Sequence, residues 1–218
     1  MRALLLVAFL YVTSLPILAS ENYRITLLRA SPGGLVDMIE QVKDYRDKQK
    51  GNLSIMRHSQ GDHWDLMLVE PSGANPTSMI DFGNIADFQQ SFLVKSAVPW
   101  NKLKSMANAS TLYHIEMFHA VHGKSKELIK QRKMENSYLM ATKRNPNVIF
   151  ETTFGSDVDS FTIGYYKDIV QFATMPDLPS DVFAKAATDA GFESRDTIGL
   201  YLRELIVSHN DTLATKVD

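Results

Sequence analysis

The chain has 218 residues, with 23 basic side chains against 25 acidic ones, a formal charge of −2 and no cysteine. So even a balance, without a local Lys/Arg cluster, removes the electrostatic ground for nucleic-acid binding, which rests on concentrated basic groups that release counterions from phosphate. The lack of cysteine excludes a disulfide framework, a thiolate metal site and a cysteine nucleophile, so packing must hold the fold.

In chain order, Met1-Arg2 gives a positive start, residues 3–18 form an apolar run broken only by Thr13, Ser14 and Pro16, and Ala19-Ser20 supplies small residues at its end. That is the three-part layout of a secretory signal. A spanning helix needs about 20 apolar residues, and this run is shorter and carries a late proline. Residues 1–20 therefore read as a cleaved signal peptide. The mature protein is expected to be exported, periplasmic or extracellular, without a stable membrane anchor. No cysteine follows Ala19 or Ser20, so acyl anchoring lacks its attachment atom. A disulfide-free exported chain fits a bacterial periplasm; in a eukaryotic source Asn52, Asn108 and Asn210, each in an Asn-x-Ser/Thr triplet, would be glycan acceptors.

Residues 23–29 alternate in the period of a strand. Pro32-Gly33-Gly34 stops it, and Leu35, Met38, Ile39 and Val42 recur at helical spacing until a stop near Gly51. Strands follow at 53–58 and 64–70 around a turn at Gln60-Gly61-Asp62. The stretch 84–106, with Phe88, Phe92, Leu93 and Trp100, reads as mainly helical. A second strand–helix–strand–strand series then occupies 112–119, 124–143, 148–154 and 160–167. A helical stretch at 181–207 carries Phe183, Ala186, Ala187, Ile198, Tyr201, Leu202 and Leu205, and 212–217 is a possible closing strand.

A shift of ninety residues aligns Tyr23, Ile25, Ala30, Gly33, Ile39, Gln41 and Lys43 with Tyr113, Ile115, Ala120, Gly123, Ile129, Gln131 and Lys133. After a further four-residue shift, Ile55, Gly61 and Asp65 align with Ile149, Gly155 and Asp159. The pattern predicts two βαββ copies, residues 21–109 and 110–218, the second with a helical C-terminal extension. The fold class is α+β, two ferredoxin-like repeats whose sheets bury their bare faces on one another in an intramolecular barrel.

This topology, with a Tyr-x-Ile strand leading into a glycine and a helix, resembles the dimeric α+β barrel superfamily, which includes antibiotic-biosynthesis-monooxygenase-like, NIPSNAP-like and EthD-like proteins. The resemblance spans residues 23–167. It implies a cavity between the sheets for a hydrophobic or aromatic molecule or haem, with members ranging from cofactor-free oxygenases and haem-degrading enzymes to proteins without a known reaction.

Strand parity assigns candidate roles. The shared apolar set, Tyr23/Tyr113, Ile25/Ile115 and Leu27/Met117, is expected beneath the helices, and the even set then faces the cavity. His114 and Glu116 become catalytic candidates, a histidine near a carboxylate being able to act as general base. Arg24, Thr26, Leu28, Phe118 and Trp64 become ligand-binding candidates. His114, His119 and His122 do not converge on a zinc because parity separates them, so no metal is expected. Haem is possible but not required, with His119 or His114 as axial candidate. Asp65 and Asp159 most simply serve the turn or strand start, and His209-Asn210-Asp211-Thr212 reads as a cap and turn, with His209 and Asp211 equally able to reach a pocket mouth.

The leading expectation is an exported protein that binds a small hydrophobic or aromatic ligand, as a monomer or weak homodimer. The alternatives are a cofactor-independent oxygenase or isomerase or a haem-dependent enzyme, and a non-catalytic structural or interaction module with a filled interior.

Overall fold

The computed structural model describes residues 20–73 and 82–218; residues 1–19 of the expected signal peptide lie outside the described residues. The first half runs β1 (Glu21–Ala30), α1 (Leu35–Lys48), β2 (Ser54–Gln60), β3 (Leu66–Pro71), a 3-10 turn, β4 (Ala86–Ser96) and α2 (Trp100–Asn108). The second runs β5 (Leu112–Ala120), α3 (Ser125–Ala141), β6 (Val148–Phe154), β7 (Ser160–Tyr166), the short α4 (Ile169–Ala173), α5 (Ser180–Asp189), α6 (Thr197–Leu205) and β8 (Ile206–Lys216). The strands form one closed antiparallel barrel in the order β1-β3-β2-β8-β5-β7-β6-β4. Each late strand joins the two halves: β4 pairs with β1 and β6, and β8 with β5 and β2.

The stretch expected to be mainly helical at 84–106 is instead largely strand. Its signal is a period of two: Phe88, Gln90, Phe92 and Val94 alternate with Asp87, Gln89, Ser91 and Lys95. Phe92 and Val94 enter the core while Gln89 and Leu93 turn outward. Helix begins only after Pro99, whose fixed φ suits a helix entry. The closing strand likewise starts earlier than expected, at Ile206, directly where α6 ends.

The parity assignment is inverted. Tyr23, Ile25, Leu27, Tyr113, Ile115 and Met117 point into the barrel, with Met56, Trp64, Met67, Phe92, Phe150, Phe161, Ile163 and Tyr165. The rings meet across the interior: Phe150 stacks on Phe161 at 4.6 Å, Tyr23 stands edge-on to Phe150 at 5.8 Å, and Tyr113 edge-on to Tyr165 at 5.5 Å. The space expected to be a cavity between sheets is thus occupied by side chains. Burying each such side chain contributes about 1.5–3 kcal/mol. The inner face here is filled by aromatic and aliphatic side chains, whereas the helix-covered outer face opens at its margins to polar groups.

The helices cover that outer face. Under α1, Leu28, Met38, Val42, Leu53, Ile55, Leu66 and Leu68 form an apolar layer. Under α3, Phe118 and Leu128 pack with Leu205 and Ile206, and Tyr138 packs with Phe183, Ala186, Ala187 and Phe192 of the C-terminal helical segment.

Candidate functional site

The outer face of the second half carries a cluster of ionisable groups larger than its first-half counterpart, where Arg24 pairs with Glu70. On β5, His114 and Glu116 stand side by side, with Thr162 of β7 and Asp211 of β8 flanking Glu116 in register. Thr162 donates its hydroxyl hydrogen to Glu116 at 3.1 Å. His114 Nε2 lies 3.5 Å from Asp211 Oδ1, and His209 Nε2 lies 3.2 Å from Asp211 Oδ2, so one carboxylate sits between two imidazoles. From above, α3 lowers Arg132, 2% exposed, to 3.7 Å from Glu116. Arg132 also pairs with Glu135, donates to Gln131 and lies over the Phe118 ring.

Burial pushes the Glu116 carboxyl up, and the Arg132 guanidinium, with a smaller contribution from the His114 ring, only partly pulls it back. Asp211, half exposed, stays in contact with solvent. Two carboxyls in register therefore occupy contrasting environments, one buried against Arg132 and one facing solvent between two imidazoles. Phe172 of α4 lies against the His114 ring at 5.1 Å and against Tyr166 at 5.2 Å, giving the niche an aromatic side. Aligning the halves sets Arg132 on Val42 and Glu116 on Thr26. The equivalent position in the first half is thus served by an apolar contact, and the fold itself does not require the buried pair.

The other sequence candidates lie apart from this niche. Arg24 sits on the outer face of the first half, 3.5 Å from Glu70, itself reached by the Tyr45 hydroxyl of α1. Thr26 shares a hydrogen bond with Ser91, and Leu28 is in the apolar layer beneath α1. Trp64 is fully buried inside the barrel next to His58. Of the seven candidates only His114, Glu116 and Phe118 come together. Asp65 and Asp159 perform matching tasks, each carboxylate accepting the backbone N–H at the end of its half's first strand, Ala30 and Ala120. Reading one strand alone missed Arg132 and Glu135, which reach the site from α3; the signal available was an arginine aligned with a buried valine. Asp211 and His209, read as a turn, lie within β8.

Among the described residues no group of three or more His, Asp or Glu side chains is placed to hold a metal ion. Haem demands an axial side chain beside a flat apolar slot. On the inward face of β2, His58 lies 5.6 Å from the buried Trp64 ring, within a packed aromatic interior. Beside His114 the strand partner is Gly164, but a Cβ there would meet Tyr166 at 2.7 Å and Asn147 at 2.8 Å, so the space is filled. His119 is held at the strand end between Ser208 and Asp157. Neither His114 nor His119, the two axial candidates, thus stands beside an open apolar slot.

Neither a protein-family model nor a curated protein matches the sequence. Solved structures do resemble the fold. An anthrone oxidase-like protein superposes with a TM-score of 0.59 at 8% identity, over 91% of this chain and 92% of that one. A chlorite dismutase-like protein gives 0.55 at 18% identity, over 92% and 96%. A monooxygenase-like protein from Lactobacillus acidophilus gives 0.52 at 8%, over 91% and 94%. From its strand order and these likenesses, the chain has the fold of the dimeric α+β barrel superfamily, with the whole barrel supplied by one polypeptide.

Proposed function

We propose that the protein is an exported, cofactor-independent acid–base enzyme of the α+β barrel type, acting on a small aromatic or hydrophobic molecule at the outer face of its second half. The carrying observation is the Glu116–Arg132 pair beside His114 and Asp211, where the matching first-half positions are Thr26 and Val42. Buried ion pairs add little to stability over an apolar contact of similar size, so the second half retains charge without a packing need for it. The two halves are read as copies of one unit, of which the second took on chemistry.

In this reading His114 keeps Nε2 toward Asp211 and takes a substrate proton on Nδ1; Asp211 stabilises the imidazolium so formed. Glu116, held toward its neutral form, returns a proton, with Thr162 fixing the carboxyl and Arg132 stabilising the carboxylate left behind. Phe172 and Tyr166 supply the apolar wall. Oxygenation or isomerisation of an acidic C–H or O–H compound can begin with such a proton loss. The structural neighbours named oxidase-like and monooxygenase-like support an enzyme of this class.

The packed interior favours a second reading, a non-catalytic interaction module. Native mass spectrometry of the protein from its own source separates them. The enzyme reading expects a co-purified molecule that is lost from the His114→Ala protein; a parent protein free of any bound molecule favours the module.

A further inference from the structure

We propose a second binding site, beyond the acid–base niche, in the cavity of about 490 Å³ at the end of the barrel beside α2, and that it takes an amphipathic monocarboxylate: an apolar body bearing one carboxylate. Its volume lies within the range of small-molecule sites. Met106 of α2, Val98 before it, and Pro146 and Val148 at the entry to β6 form apolar walls, and the buried ring of Tyr165 contributes to the floor. Two cations, Lys102 and Lys167, stand among the lining residues, and no aspartate or glutamate does. An apolar chamber edged by positive charge alone selects for an anion with an apolar tail.

The surroundings are fixed before any ligand arrives. Asn136 and Asn147 exchange two hydrogen bonds, at 2.7 and 2.8 Å, which pin the Pro146 wall. The backbone N–H of Lys167 donates to Gln171 at 2.6 Å, and Asp168 caps α4, so the residue bearing one cation is anchored. The Tyr165 ring, held edge-on to Tyr113 at 5.5 Å, is likewise fixed in place. Tyr165 lies on the inward face of β7, whereas His114 and Glu116 lie on the outward face of β5, so the two sites are separate.

Isothermal titration of the mature protein with decanoate and with 1-decanol tests this. Decanoate should bind the parent, and Lys102→Glu with Lys167→Glu should weaken it by at least about tenfold while leaving decanol affinity unchanged. Ala109→Trp, at an exposed position of the lining, should abolish binding of both probes, and His114→Ala should leave decanoate binding as it was. Failure of decanoate to bind the parent, or equal affinity in the double lysine variant, would overturn the proposal; so would loss of binding in His114→Ala, which would place the ligand in the other niche.

Discussion

Glu116 shows how far a single carboxyl can be read physically. Its burial raises its pKa, so between the ordinary carboxylate range and that raised value the folded protein holds a proton that the unfolded chain has released. Stability from this group is therefore full in acid and falls as pH rises through the interval. Glu116→Gln cannot ionise and should lack that fall: its denaturation midpoint relative to the parent should improve from weakly acid to neutral pH. A parent–variant difference that stays flat with pH would contradict the assigned burial. The sequence pointed to Glu116 and His114 through their spacing on one strand, but their true neighbours, Arg132 and Asp211, come from elements far along the chain. Only pairing register, Glu116 opposite Asp211, brings them together.

At the scale of elements, one of the two glycine pairs shared by the halves, Gly61 and Gly155, has a packing cause. Gly61, in the β2–β3 turn at φ +112°, lies against β8 so closely that a Cβ would stand 2.0 Å from the Asp211 carbonyl oxygen. Gly155, in the β6–β7 turn at φ +92°, approaches Ser91 and Phe92 of β4 in the same way, at 3.2 and 3.3 Å. Each hairpin thus presses on the strand that joins the halves. Gly61→Ala should destabilise by more than about 1 kcal/mol in equilibrium denaturation, and should lower ligand retention further because the displaced backbone carries Asp211. Unchanged stability would show that the turn has room to move. The βαββ order, both long helices and the shared turns were legible from period and punctuation. Strand β4 was not, since its aromatic residues also fit a helical stripe when the alternating Asp87, Gln89, Ser91 and Lys95 are passed over. Which face of β1 and β5 turned inward was not legible either, because both faces are largely buried and hydrophobicity alone does not rank a barrel axis above a helix underside.

For the whole molecule, the first described strand bears on processing. Glu21 accepts hydrogen bonds from the Tyr23 hydroxyl at 3.0 Å and from the Trp100 backbone N–H at 2.8 Å, tying β1 to the start of α2. If the protein is exported by cleavage, N-terminal sequencing should find Ser20 or Glu21 first; a start at Asn22 or later would mean that this tie is dispensable, and an intact Met1 would remove the export proposal. The central claim is that the barrel interior is scaffold and the outer niche is the reactive site. It is tested most directly by the rate at which solvent deuterium enters the co-purified molecule, measured per folded protein for the parent, His114→Ala and Phe150→Leu. The account predicts a loss of about a hundredfold or more for His114→Ala and a rate near the parent's for Phe150→Leu. Exchange that survives in His114→Ala but collapses in Phe150→Leu would place the chemistry inside the barrel and contradict it.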